Sequence, residues 1–187
     1  GSLTKCALQI VLEEVKSLLP AATINLIDPA QYKLTFPGSS EPNDHEAITK
    51  LIEEANVVIM ATPEYHGSHS AVIKCIIEAI GYPSPLKGKP VVSLGVGGGE
   101  MGAIKSIEAI TSIVHHTGGL VLPGSLSIAN SFDVFDPSTG KCNDDKVARR
   151  LKRLAYTVSD YVSTTIEPRT WYEKAARDHA AGKEFEP

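Results

Sequence analysis

Two hydrophobic patterns alternate along the chain. Leu8, Val11, Leu12, Val15, Leu18 and Leu19 recur at intervals of three and four, which predicts a helix that Pro20 ends. Thr23-Ile24-Asn25-Leu26-Ile27-Asp28, closed by Pro29, predicts a short strand. Residues 37–44 are rich in Gly, Ser and Pro and read as a loop, with Asn43 or Asp44 placed to cap a helix bearing Ile48, Leu51, Ile52 and Ala55. Val57-Val58-Ile59-Met60-Ala61 is different: it is apolar without alternation, as an inner parallel strand buried on both faces must be. Val91-Val92-Ser93-Leu94 and Leu120-Val121-Leu122 repeat that signature. Helices are expected at 69–80 and 103–116, and a last one carries Val147, Leu151, Leu154, Val158, Tyr161 and Val162 on one face. Strands alternating with helices at this spacing predict right-handed βαβ units around a parallel sheet.

Length and composition agree with that reading. The chain has 187 residues, 42% of them hydrophobic, enough for one domain with a sizeable core. A formal net charge of −4 does not favour a nucleic-acid partner. No apolar run is long enough to span a bilayer, so no membrane partner is expected. The cysteines Cys6, Cys75 and Cys142 are odd in number and widely spaced, which suits a reducing, cytoplasmic setting better than a disulfide framework or a metal site. Beyond residue 166 the sequence is polar but carries Trp171 and Tyr172, consistent with a loose tail or with an arm that packs on another subunit.

In open parallel sheets, ligands bind beyond the carboxyl ends of the strands. Two segments stand there. One is Thr62-Pro63-Glu64-Tyr65-His66-Gly67-Ser68, in which the proline should take the strand out of the sheet and flat side chains flank a glycine. The other, Gly95 to Gly102, holds five of the chain's 15 glycines, more than a tight turn needs. Gly97, Gly99 and Gly102 match the spacing of a dinucleotide fingerprint, but the next strand ends in Leu122-Pro123-Gly124 without an acidic residue for a ribose. No phosphate-binding Walker loop, zincin helix or hydrolase elbow is present in the sequence. His115 and His116 suit a helix C-terminus, and His45 and His179 read as exposed.

Ala61-Thr62-Pro63-Glu64-Tyr65-His66-Gly67-Ser68, followed by a helix with Lys74, resembles the P-E-Y-[NH]-G-S stretch of the NAD(P)H-dependent FMN reductase family, a flavodoxin-like group that includes quinone, azo-dye and chromate reductases. The glycine-rich loop and Phe135-Asp136-x3-Gly140 fit the same family, over nearly the whole chain to about residue 165. The resemblance implies a doubly wound five-stranded parallel sheet with helices on both faces, an FMN-binding domain over residues 1–166 and a tail or arm over 167–187. It implies FMN as cofactor and NAD(P)H as co-substrate. Pro63, Glu64, Tyr65, His66 and Gly67 would wrap the isoalloxazine, and Gly97, Gly98 and Gly99 would flank it. The family's phosphate loop follows its first strand. Here only Gly1-Ser2-Leu3 matches, followed by Thr4 and Lys5, so Ser2, Leu3 and Thr4 stand for that site. The first, central strand has no counterpart in the sequence, and the chain is expected to be incomplete at its start. The implied function is electron transfer from NAD(P)H through FMN to flavin, quinone or a similar small acceptor, with no protein catalytic base. The alternative is an electron carrier or FMN-binding module without nicotinamide activity. The helix at 69–80, apolar nearly all round, and the family's habit imply a homodimer or homotetramer.

Overall fold

The computed structural model describes residues 2–181. It begins with α1 (Leu3–Leu18), which Ser2 starts by accepting a bond from the Lys5 N–H on its hydroxyl, at 3.2 Å. Then follow α2 (His45–Glu54), β1 (Val58–Tyr65), β2 (Ser68–His69), α3 (Ala71–Ala79), β3 (Pro90–Val96) and α4 (Ile104–His116). The chain ends with β4 (Leu120–Val121), β5 (Leu126–Ile128), α5 (Ser131–Val134), α6 (Asp145–Tyr161), a π-helical turn over Val162–Ile166 and α7 (Glu167–Ala180).

The sheet runs β2-β1-β3-β4, with β5 also on β3. β1 and β3 are parallel in register from Val58↔Val91 to Pro63↔Val96. β3 is buried along its whole length because both its edges are paired, as its unbroken apolar run required. Its side chains alternate between two cores: Val92, Leu94 and Val96 pack with α1 and α6, and Val91 packs with Ile48, Ile110 and Val114 of α2 and α4. This is an α/β arrangement of helices around a mostly parallel sheet, as expected from the sequence.

The sheet differs from the expectation in three details. Residues 23–28 form no strand. From Thr23 to Ile27 neither the N–H nor the C=O groups have a main-chain partner among the described residues, because no neighbour lies within reach. β2 is antiparallel to β1, making a hairpin rather than a parallel strand. β4 and β5 are two pieces of one line along β3, separated at Pro123-Gly124, and β5 escaped the sequence reading because it is three residues long.

Smaller corrections follow from hydrogen bonding. Pro63 does not take β1 out of the sheet: it stays in register with Val96, tolerated because the other edge of β1 is open there and needs no donor. His45 is half-buried, its Nε2 lying 3.3 Å from the Thr35 N–H. Asp44 occupies the cap position of α2 but bonds the Lys33 N–H, while Asn43 Oδ1 accepts from the His45 N–H. The second apolar side of α3 faces a large cleft. Residues 167–180 are helical and prolong α6, whereas 182–187 lie outside the described residues.

Candidate flavin site

The carboxyl end of the sheet is built by the β1–β2 hairpin. Tyr65-His66-Gly67-Ser68 turns through two positive φ values, 51° at His66 and 73° at Gly67, the geometry that matches a hairpin's twist. Buried Thr62 locks the turn: its hydroxyl accepts from the Ser70 N–H at 3.0 Å and donates to the Pro63 carbonyl at 2.9 Å. Ser70 in turn caps α3 by accepting from the Ile73 N–H. Tyr65, His66 and Gly67 are left exposed.

Glu64 points elsewhere. Its Oε2 accepts from the Ser106 N–H at 3.0 Å and the Ser106 hydroxyl at 3.2 Å, in the first turn of α4. The residue at the cap of that helix is Ala103, which has no side-chain acceptor, so Glu64 caps α4 from the hairpin. Lys105, in the same turn, lays its aliphatic chain over Gly67, with Cδ 3.4 Å from where a Cβ would stand.

The glycine loop after β3 folds onto the segment after β5. Gly97 N–H donates to the Ile128 carbonyl, and the Gly97 and Gly99 carbonyls accept from Ser131 and Asn130. A Cβ on Gly97 would overlap the Gly102 carbonyl, and one on Gly98 would stand 2.7 Å from the Phe132 ring. Gly98 and Gly99 are exposed, and among the described residues their N–H groups have no hydrogen-bond partner.

The third piece is the start of α1. The Leu3 and Thr4 N–H groups, in the first turn of α1, have no acceptor within the helix, and no acidic residue lies in that turn to use the positive end of the dipole. Lys5 Nζ pairs with Asp28 Oδ2 at 2.6 Å. That bond, then the Ala30 N–H, holds the Asp28 carboxyl below its ordinary range. The Phe135-to-Cys142 hairpin packs here too: a Cβ on Gly140 would stand 2.9 Å from Cys6 Sγ. Its Asp136 carboxyl accepts from the Ser138 hydroxyl and from the Thr139 and Ser138 N–H groups, which lowers its pKa to about 2.

Of the residues expected from the sequence, Ser2, Thr4, Pro63 and Tyr65 line one cleft, while Gly97, Gly98 and Gly99 belong to the neighbouring loop. Phe132, Lys105, Ser106 and Thr62 were missed. Only Thr62, two residues before Glu64 on a strand, left a local signal. Among the described residues no group of three His, Cys, Asp or Glu side chains could hold a metal ion.

The profile of the NADPH-dependent FMN reductases matches residues 1–133. The chain belongs to this family. It is therefore an oxidoreductase that uses FMN with NAD(P)H as electron donor. It is 35% identical to an NADH-dependent flavin reductase subunit of Lactobacillus johnsonii over 62% of this chain and 68% of that one. It is 25% identical to an NAD(P)H-dependent FAD/FMN reductase of Geobacillus thermodenitrificans over 84% and 85% of the two chains. The fold is similar to that of an NAD(P)H:acceptor oxidoreductase flavoenzyme from Paracoccus denitrificans, with a TM-score of 0.71 at 20% identity over 87% of this chain and 90% of that one. No described helix is long and apolar enough to cross a membrane.

Proposed function

We propose that FMN binds across the carboxyl ends of β1 and β3, its ring between the Pro63–Gly67 hairpin and the Gly97–Gly99 loop and its phosphate at Ser2, Leu3 and Thr4. The observation that carries this reading is the exposed pair of unpartnered N–H groups on Gly98 and Gly99, on backbone without side chains. They suit the acceptor-rich edge of a flat ligand, while the start of α1 offers N–H groups and a hydroxyl to an anion. Bound FMN supplies hydride acceptance from NAD(P)H and onward electron transfer to flavin, quinone or a similar small acceptor.

The chain's own part is positional. The Glu64–Ser106 bonds fix the hairpin against α4, and the Thr62–Ser70 bonds fix the strand's exit. The Gly98 and Gly99 N–H groups favour negative charge where they point. Tyr65, with 63% of its surface exposed, offers a ring face beside the turn. No side chain is assigned a proton-transfer role.

Residues 1–166 are taken as the flavin domain and 167–187 as its appendage. A homodimer or homotetramer is part of the reading, supported by large apolar side chains left exposed near the site, Tyr65, Met101 and Phe132. The three free cysteines suit the reducing cytoplasm.

The test is the visible spectrum of the protein during titration with FMN. A stoichiometric, shifted flavin band that bleaches on adding NADPH under argon is expected. Absence of binding at tens of micromolar FMN would remove the site assignment.

A further inference from the structure

The first turn of α4 reaches the β1–β2 hairpin through two adjacent residues. Ser106 does so by donating twice to Glu64. Lys105 does so without a polar bond. Its side chain lies across Gly67, with Cδ 3.4 Å and Nζ 3.8 Å from where a Cβ would stand. These are ordinary packing distances, so the aliphatic stem rests on the turn and the ammonium stands beside it. Both residues are exposed.

The charge has no use in the fold. The start of a helix disfavours a cation, because its free N–H groups already form the positive end of the dipole. A carboxylate in contact would offset that, and two lie near. Glu108, three positions on in the same helix, is spaced for an ion pair with Lys105 but makes none. Glu64 gives its Oε2 to Ser106 and makes no ion pair with Lys105 either. Among the described residues the Lys105 ammonium has neither an ion pair nor a hydrogen-bond partner.

A full charge separates ligand forms that differ in charge, and it acts over a longer range than the N–H dipoles of Gly98 and Gly99. With the FMN phosphate at the start of α1, the hairpin meets the neutral ring. What changes there is reduction. A hydride brings two electrons and one proton, and the nicotinamide leaves oxidised, so one negative charge is added beside the hairpin. Lys105 stays protonated throughout and supplies no proton.

We propose, resting on that ring position, that the Lys105 ammonium strengthens the binding of reduced, anionic FMN over that of oxidised FMN and thereby raises the reduction potential of the bound cofactor. Binding and potential form a closed cycle. Each tenfold gain in affinity for the reduced form over the oxidised form raises a two-electron potential by about 30 mV.

Anaerobic equilibrium dialysis with oxidised and with dithionite-reduced FMN tests this on the parent, Lys105→Met and Lys105→Arg. Lys105→Met should bind oxidised FMN within about twofold of the parent and reduced FMN about tenfold more weakly. A dye-coupled redox titration should then place its potential about 30 mV below that of the parent. Lys105→Arg keeps the charge and should match the parent in both measurements. An unchanged ratio of the two affinities in Lys105→Met would overturn the proposal. So would equal weakening of both forms, which would make Lys105 a support for the hairpin and nothing more. The same split in Lys105→Arg as in Lys105→Met would show stem shape at work instead of charge, and would overturn it too. Lys105 is exposed, so the variants should melt with the parent. If Lys105→Met does not, Lys105→Gln must show the split or the proposal fails. A parent that binds neither form removes the ring site and this proposal together. A parent that binds both forms, with no split in Lys105→Met, removes this proposal alone.

Discussion

At the scale of single residues, the glycine loop separates stability from binding. A methyl group at Gly97 would meet the Gly102 backbone, which cannot swing aside, whereas Gly99 has nothing within 4 Å of a Cβ. Gly97→Ala should cost about 1–3 kcal/mol and lower the thermal midpoint by about 2–4 °C per kcal/mol. Gly99→Ala should melt with the parent yet bind FMN about tenfold or more weakly, because its methyl stands where the ring must approach the backbone. Calorimetry and an FMN titration on the two variants check this. Unchanged FMN affinity in Gly99→Ala would move the ring away from this loop. Glu64 offers a second residue-scale prediction. Glu64→Ala removes the acceptor for both Ser106 donors and should cost about 1–2 kcal/mol, with faster exchange at the Lys105 and Ser106 amides, while Glu64→Gln retains much of the protection. Equal exchange in all three proteins would rule out Glu64 as the cap of α4.

At the scale of elements, the β1–β2 hairpin should be sensitive to acid through His69. Its Nδ1 lies 2.8 Å from the Ser68 hydroxyl, and its Nε2 is buried without a partner. Burial, and then the nearby Lys74 ammonium, lower the His69 pKa below its ordinary value. For a base with a depressed folded pKa, the unfolded chain binds the proton more readily. Stability is therefore complete above about pH 6.5 and falls as the pH drops from there toward the folded value. His69→Asn keeps an acceptor toward Ser68 and cannot titrate. The stability advantage of the parent over this variant should shrink between about pH 7.5 and about pH 5.5. Parallel melting curves would defeat the assignment. The hairpin also shows what the sequence could and could not reveal. The apolar run of β3 was legible because its burial is recorded in every residue. The turn itself was legible because Gly67 and its neighbours are unusual locally. The fate of residues 23–28 was not, because a strand exists only with a partner and the sequence of 23–28 says nothing about whether one is in reach. The role of Glu64 was hidden for the same reason: Ser106 lies 42 positions away.

At the scale of the whole molecule, the proposed flavin site and α7 lie at opposite ends of α6. α6 starts beside the Phe135-to-Cys142 hairpin, near the start of α1, and its 17 residues carry the chain about 25 Å back toward the amino ends of the strands. The π-helical turn and α7 continue from there. α7 has no buried residue, but Thr170 and Trp171 line the cleft and Trp171 is 44% exposed. Removing residues 167–187 takes Thr170 and Trp171 away and should uncover only the apolar area that these two side chains cover at the cleft. The expected loss is about 1–2 kcal/mol from the area released. That corresponds to a fall in midpoint of roughly 2–8 °C for a chain of this size. FMN affinity should stay within about twofold, since the assigned ring and phosphate residues all lie on the retained part, at the other end of α6. A chain of residues 1–166 that loses only the far-ultraviolet circular dichroism of the removed helix, yet binds no FMN, would contradict this division. It would make α7 part of the working unit, and the boundary at 166 would have no functional meaning.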